Sequence, residues 1–342
     1  MRLVRPQTSI MSLPKIRSKF NTVNKLISNH RIKNGYFVKK GDRKFVIVMY
    51  HGIDIVQSTK YNQRFFSKAD FEKQIALFTK HFNVLSHSDF VADKFSDTKL
   101  NMLITFDDGY LNNLKYAVPV LEQYNAHAYF FITGVGPLTP NILWADAIDI
   151  VSKHATGGHK LTLKDVDFEL REHEFINRDT GVNVKSFIKD SATPGYSEKR
   201  SVVNQLLSIY DFTKDNGAKD YWQLMNNEEI ARASQSRQIT IGSHGLYHNN
   251  LGSLSLTDAV AEVENSQNYL ENIIQKPVTT IAFPDGSYTP ELNNELYGRG
   301  FAKQFLVNYN FSDAGNKDYV YDRFGLYPFM GNPNQLLYQI IN

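Results

Sequence analysis

Apolar positions along this chain fall into short β-branched runs separated by stretches whose apolar residues recur at helical spacing. Phe45-Val-Ile-Val-Met-Tyr50 is such a run and predicts a strand buried on both faces. Ser67 followed by Asp70 resembles a capping box, and Phe71, Ile75, Phe78 and Phe82 then mark a helix over 68–82. The alternation continues with strands at 102–106, 128–132, 238–241 and 279–283 and helices at 112–124, 227–234 and 257–274. This βα rhythm predicts an α/β domain of parallel strands wrapped by helices, either as a barrel or as an open sheet. No short repeat period is present, which argues against a solenoid. The interval 137–221 breaks the rhythm: it is polar, with helical stretches only near 145–153 and 198–207. It reads as an insertion, lying over a site or elaborating the surface. The expected organisation is an extension over 1–44 and a domain over 45–342.

Charge sharpens that division. Of the chain's 38 Lys and Arg, ten fall in residues 1–40, which hold none of the 35 Asp and Glu, so the remainder carries 28 positive against 35 negative charges. A mildly acidic domain argues against nucleic acid as a partner, because phosphate binding needs positive charge on the folded surface. The basic extension, with Ile16, Phe20, Val23, Leu26 and Ile27 among its cations, reads as a solvated tail or as a peripheral contact with an anionic membrane. No run approaches the roughly 18 apolar residues of a membrane span, and the first twenty residues lack a signal-peptide core. The expected location is cytoplasmic, with membrane contact through the tail as the variant. The absence of cysteine leaves His, Asp and Glu as the ligands for any transition metal.

Three predicted strand ends carry chemistry. Thr105-Phe-Asp107-Asp108-Gly109 sets two carboxylates where α/β folds place their sites. Adjacent side chains in extended chain diverge, so both aspartates serve one site only if the chain turns, as Gly109 allows. One carboxylate can then ligate a metal while the other takes a proton from water; alone, Asp-Asp-Gly is equally a turn with capping aspartates. Gly242-Ser-His244-Gly-Leu-Tyr-His248 ends another strand, and its histidines share a face if the segment turns helical. Phe283-Pro284-Asp285-Gly286 closes a third strand and by itself is only a β-turn. Co-occurrence is the argument, since a hydrolytic metal site needs all three kinds of group.

These residues resemble the polysaccharide deacetylases, carbohydrate esterase family 4. Thr105 to Gly109 matches the family's Thr-Phe-Asp-Asp-Gly motif, Ser243 to His248 resembles its His-x-x-x-His motif, and Phe283 to Gly286 is similar to its third motif. The resemblance covers about residues 45–330. It implies a distorted (β/α) barrel and a divalent metal, usually zinc with cobalt, nickel or manganese as alternatives, held by Asp108, His244 and His248. Asp107 would be the general base, and the backbone N–H of Asp285 would face the oxyanion. The sequence departs from the family in two places. No histidine follows His248, so His51 in Tyr50-His51-Gly52 is the natural general acid; no arginine opens the third motif, so Arg323 would pair with the base from a later strand. Pro284, Asp285 and Gly286 are expected against the substrate, with Trp144 and Tyr288 as rings that stack on a sugar and Asp146 near its hydroxyls. The expected reaction is hydrolysis of an acetamide on an N-acetylhexosamine unit of a polysaccharide, oligosaccharide or glycolipid. An O-acetyl sugar esterase, a small-amide amidohydrolase and a non-catalytic glycan-binding protein are the alternatives. The sequence sets no oligomeric state.

Overall fold

The computed structural model describes residues 45–55, 62–135, 140–190, 197–215, 219–307 and 318–328; the basic extension over 1–44 lies outside them. Seven parallel strands close on themselves. They are β1 (Phe45–Tyr50), β2 (Asn101–Phe106), β3 (Ala128–Ile132), β4 (Ile239–Ser243), β5 (Thr280–Ala282), β6 (Lys303–Val307) and β7 (Val320–Gly325). Each pairs with the next in sequence, and β7 returns to β1 through Val48↔Phe324 and Met49↔Gly325. The architecture is thus a closed (β/α) barrel rather than an open sheet. Among the described residues no helix is long and apolar enough to cross a membrane.

Strand alternation divides the aromatic residues between two layers. Inside the barrel, Tyr129, Phe131, Phe305 and Tyr321 interlock with Phe90, and Phe305 lies 5.1 Å from Phe131 and 5.7 Å from Tyr321 between ring centroids. These rings fill the barrel, with room made by Gly242, where a Cβ would fall 2.5 Å from Phe131. Outside, Tyr50, Phe106 and Phe130 form a row across β1, β2 and β3. The helix Lys68–His81 packs Phe71 against that row, 5.2 Å from Tyr50. Its start is fixed by Ser67, whose side chain accepts from the Asp70 amide. Burial of Phe71, Ile75 and Phe78, at roughly 1.5–3 kcal/mol each, outweighs the few tenths from the exposed Lys73–Asp70 pair, so packing and not surface charge holds this helix.

The segment 137–221 has a core of its own. Trp144, Ile148, Val151, Leu161, Phe168, Val202 and Leu206 pack between the helices Trp144–His154 and Ser197–Ile209 and a three-stranded antiparallel sheet. Both helices agree with the sequence pattern, whereas the sheet (Lys160–Leu163, Val166–Arg171, Glu174–Ile176) and strands β6 and β7 are elements that the pattern did not delimit. In place of a single helix over 112–124 there is a π-helical turn at Asn113–Ala117, followed by an α-helix at Val118–Gln123. Pro119 lacks the N–H that would continue regular α-helical bonding through that point.

Because Phe305 is fully buried at the centre of the interior cluster, Phe305→Ala should lower stability by about 3–5 kcal/mol, measured by chemical denaturation.

Candidate active site

The C-terminal ends of the barrel strands converge on one pocket of buried polar groups. The amide of Asp107 extends the ladder to the Tyr50 carbonyl (3.0 Å), which keeps that residue in strand geometry. Asp108 then adopts φ 74 and Gly109 φ 88, and this left-handed pair turns the chain. For a non-glycine residue such a conformation costs roughly 1–2 kcal/mol, and it is what allows adjacent carboxylates to share a site. Thr133 holds the turn by donating its hydroxyl to the Asp108 carbonyl (3.3 Å).

Asp107 and Arg323 meet across the barrel interior. Both oxygens of Asp107 accept from the guanidinium, at 2.6 Å from Nη1 and 2.7 Å from Nη2, and Nη1 also reaches Thr105 Oγ1 at 3.2 Å. The Arg323 side chain has no exposed surface. Its guanidinium carbon sits 5.6 Å from the Phe131 ring, on top of the aromatic filling. Burial alone would raise the Asp107 carboxyl, but Arg323, with His244 adding to it, holds it below the ordinary value and therefore ionised.

Asp108, His244 and His248 form a second group whose ligating atoms lie within 4.8 Å of one another. Asp108 Oδ1 is 3.5 Å from His244 Nε2 and 3.2 Å from His248 Nε2. His244 Nδ1 lies 2.7 Å from the Ala282 carbonyl and must donate to it, so in a neutral ring the lone pair is on Nε2 and faces Asp108. Two acceptors face each other there. The cluster therefore calls for positive charge between its members: burial would lower His244, yet Asp107 and Asp108 outweigh it and raise its pKa. A divalent cation meets the same demand, and two imidazoles with one carboxylate are a donor set that suits zinc. The condition under which their spacing would set the histidines on one helical face is not met. Residues 244–250 form a loop, with Gly245 at φ 72 and His248 at φ 52, and the rings meet edge to face at 5.1 Å because the chain reverses.

Three further expectations concern the rim. His51 follows β1 and is 8% exposed; burial, with Arg64 adding to it, pushes its pKa down to about 4, and its Nδ1 has no partner among the described residues. Asp285 occupies the turn Pro284–Gly286 at φ 52 and pairs with Lys189 (2.7 Å). Tyr288 is half-buried against the cluster around Leu251 and Phe283. Trp144 is 3% exposed within the core of the inserted segment, where it lines a small cavity beside His248.

Sequence reasoning missed Arg64. Its guanidinium contacts Asp108 Oδ2 (3.5 Å), Asp146 Oδ1 (3.3 Å) and the Tyr110 hydroxyl (3.0 Å), so it occupies the Asp108 oxygen that faces away from His248. Asp146 also accepts from Tyr110 (2.6 Å), and burial pushes its carboxyl up to about 7 against the pull of Arg64. Glu262, also missed, accepts the amides of Tyr247 (3.1 Å) and Asn249 (3.4 Å) and so braces the histidine loop. No motif flags either residue, since each acts across the fold.

Comparison with known proteins bears on the fold and the family. Among curated proteins none matches the chain. Solved structures that share its fold include the Streptococcus pyogenes deacetylase PplD in complex with acetate, at 16% identity and TM-score 0.52 over 87% of this chain and 98% of that one. IcaB from Ammonifex degensii matches at 14% identity and TM-score 0.52 over 88% and 98%. BC0361, a polysaccharide deacetylase from Bacillus cereus, matches at 15% identity and TM-score 0.52 over 87% and 69%. The polysaccharide deacetylase family pattern matches residues 96–175 and 209–301, half of the chain, and spans the first two motifs and the third. The chain belongs to the polysaccharide deacetylase family.

Proposed function

We propose that this protein is a metal-dependent hydrolase that removes the N-acetyl group from an N-acetylhexosamine unit of a polysaccharide, oligosaccharide or glycolipid. The observation that carries this reading is the pairing of a buried, ionised Asp107 with Arg323 directly beside the Asp108, His244 and His248 cluster. Bound by those three residues, a divalent ion such as zinc would supply Lewis acidity, lowering the pKa of water and drawing charge from the acetyl carbonyl.

Asp107 would accept the proton of the attacking water. Its two oxygens are fixed by Arg323, which orients the carboxylate and keeps its charge without competing for that proton, since a guanidinium does not deprotonate. As water adds, charge builds on the acetyl oxygen, and the backbone N–H of Asp285 would face it from the Pro284–Gly286 turn. The departing amine needs one proton, and we assign its delivery to His51. With a pKa near 4 before substrate arrives, this ring is neutral at pH 7, so the proton it passes on is one taken up from solvent as negative charge develops beside it. Where the inserted segment meets Asn62–Arg64, a cavity of about 460 Å³ is lined by Arg64, Lys153, His173 and Lys185 among others.

Three outcomes follow from these roles. Protein stripped of metal should release no acetate from N-acetylated oligosaccharides, and zinc or cobalt should restore release, read by an acetate assay; release that persists in a chelator would refute metal dependence. Asp107→Asn should lower kcat by about 10²–10⁴ while zinc still binds. His51→Gln should cost about 10²-fold or more on an acetamide but far less on 4-nitrophenyl acetate, whose leaving group needs no proton; equal losses on both would remove His51 as the acid.

A further inference from the structure

The inserted segment reaches into the histidine loop through a buried lysine that the proposed reaction does not use. Lys199, on the helix Ser197–Ile209, is 5% exposed. Its ammonium donates to the Tyr247 carbonyl (3.1 Å), the His248 carbonyl (3.0 Å) and Asn249 Oδ1. An ammonium has three donors, and all three are spent on consecutive residues of this loop. From the other side Glu262 takes the amides of Tyr247 and Asn249 on Oε1 and the Asn249 side-chain amide on Oε2 (2.6 Å). Residues 247–249 are therefore held between a buried cation on their carbonyls and a buried anion on their amides.

At the centre of that grip is His248, at φ 52. A non-glycine residue keeps a left-handed conformation only where its surroundings over-determine it, and here the bonds to the carbonyls at 247 and 248 and to the amides at 247 and 249 do so. The ring that results points Nε2 at Asp108 Oδ1, 3.2 Å away. The other histidine needs no such help, because His244 extends β4, donating its amide to the Ile132 carbonyl (3.0 Å), and is oriented by the Ala282 carbonyl.

We propose that Lys199 is a positioning residue for His248, so that docking of the inserted segment and metal occupancy of the Asp108, His244 and His248 cluster are thermodynamically coupled. The proposal rests on the reading of that cluster as a divalent metal site. By reciprocity, a segment that improves metal affinity must itself be tightened when metal binds.

The test measures zinc binding and backbone exchange, not turnover. Zinc affinity, read by competition with a chromophoric chelator, should fall at least tenfold in Lys199→Met, the size of effect typical for residues that orient a ligand. It should stay within twofold in Lys214→Met, which removes an exposed cation of the same segment. In the unaltered protein, added zinc should slow amide hydrogen exchange in 197–209 as well as in 244–250. Unchanged exchange in 197–209 would overturn the coupling even if Lys199→Met failed to fold, and so would a folded Lys199→Met that bound zinc within twofold of the unaltered protein. Zinc binding with this coupling, but without acetate release from any acetylated sugar, would leave the inference standing and refute the deacetylase reading instead.

Discussion

The buried pair of Asp107 and Arg323 constrains everything around it. Moving two charges out of water carries a desolvation penalty of several kcal/mol per ion, which only near-ideal geometry offsets. Here that geometry is bidentate, with Thr105 taking a further donor and Phe131 beneath the guanidinium. The strand register must be correct at once in β2, which carries Thr105 and leads into Asp107, in β3, which carries Phe131, and in β7, which carries Arg323. A slip of one residue in β2 or β7 would turn a charged partner out of the interior and leave a lone charge behind, and a slip in β3 would remove the ring beneath the guanidinium. The aromatic filling below and the metal-type cluster beside it are thus tied to the same register.

Each of the three motif turns carries one strained non-glycine residue. Asp108, His248 and Asp285 all adopt positive φ, at 74, 52 and 52 degrees. Each lies past the end of a barrel strand, where a sharp reversal throws a carboxylate, an imidazole or an amide back over the barrel mouth. Their neighbours hold these conformations: Thr133 at the first turn and Lys199 with Glu262 at the second, while Lys189 pairs with the Asp285 side chain at the third. The sequence is locally unfavourable where function asks for an unusual direction, and the surrounding fold compensates.

Much of this was legible in the chain, for identifiable reasons. Strands β1, β2, β3 and β4 are dense β-branched or aromatic runs, and the helix Asn227–Ser234 announces itself through an asparagine cap with Glu229 completing the box. Positions of the motifs at strand ends could be read as well. The inserted sheet could not, because its first hairpin turns on Lys164 and Asp165, at φ 51 and 60, in place of the Asn-Gly or Asp-Gly pair that marks such turns. Arg64, Lys199 and Glu262 were invisible for another reason: each acts on residues 13 to 82 positions away, and no periodicity records such a contact. Whether His244 and His248 share a helical face could not be read, because spacing alone does not distinguish a helix from a loop that reverses on a glycine.

The closing contact of the barrel has a consequence for how the protein is made. Strand β7 lies last in the ring and pairs with β1, the first, while Arg323 on β7 is the partner of Asp107, 216 positions earlier. During synthesis the chain emerges from the amino terminus, so the six earlier strands leave the ribosome before the arginine does. Until then Asp107 has no buried cation to hold it, and the mouth of the barrel stays open along one side. The pocket would be completed late and all at once, when the final strand seats, which leaves a growing chain with most of the barrel but without the paired carboxylate at its mouth.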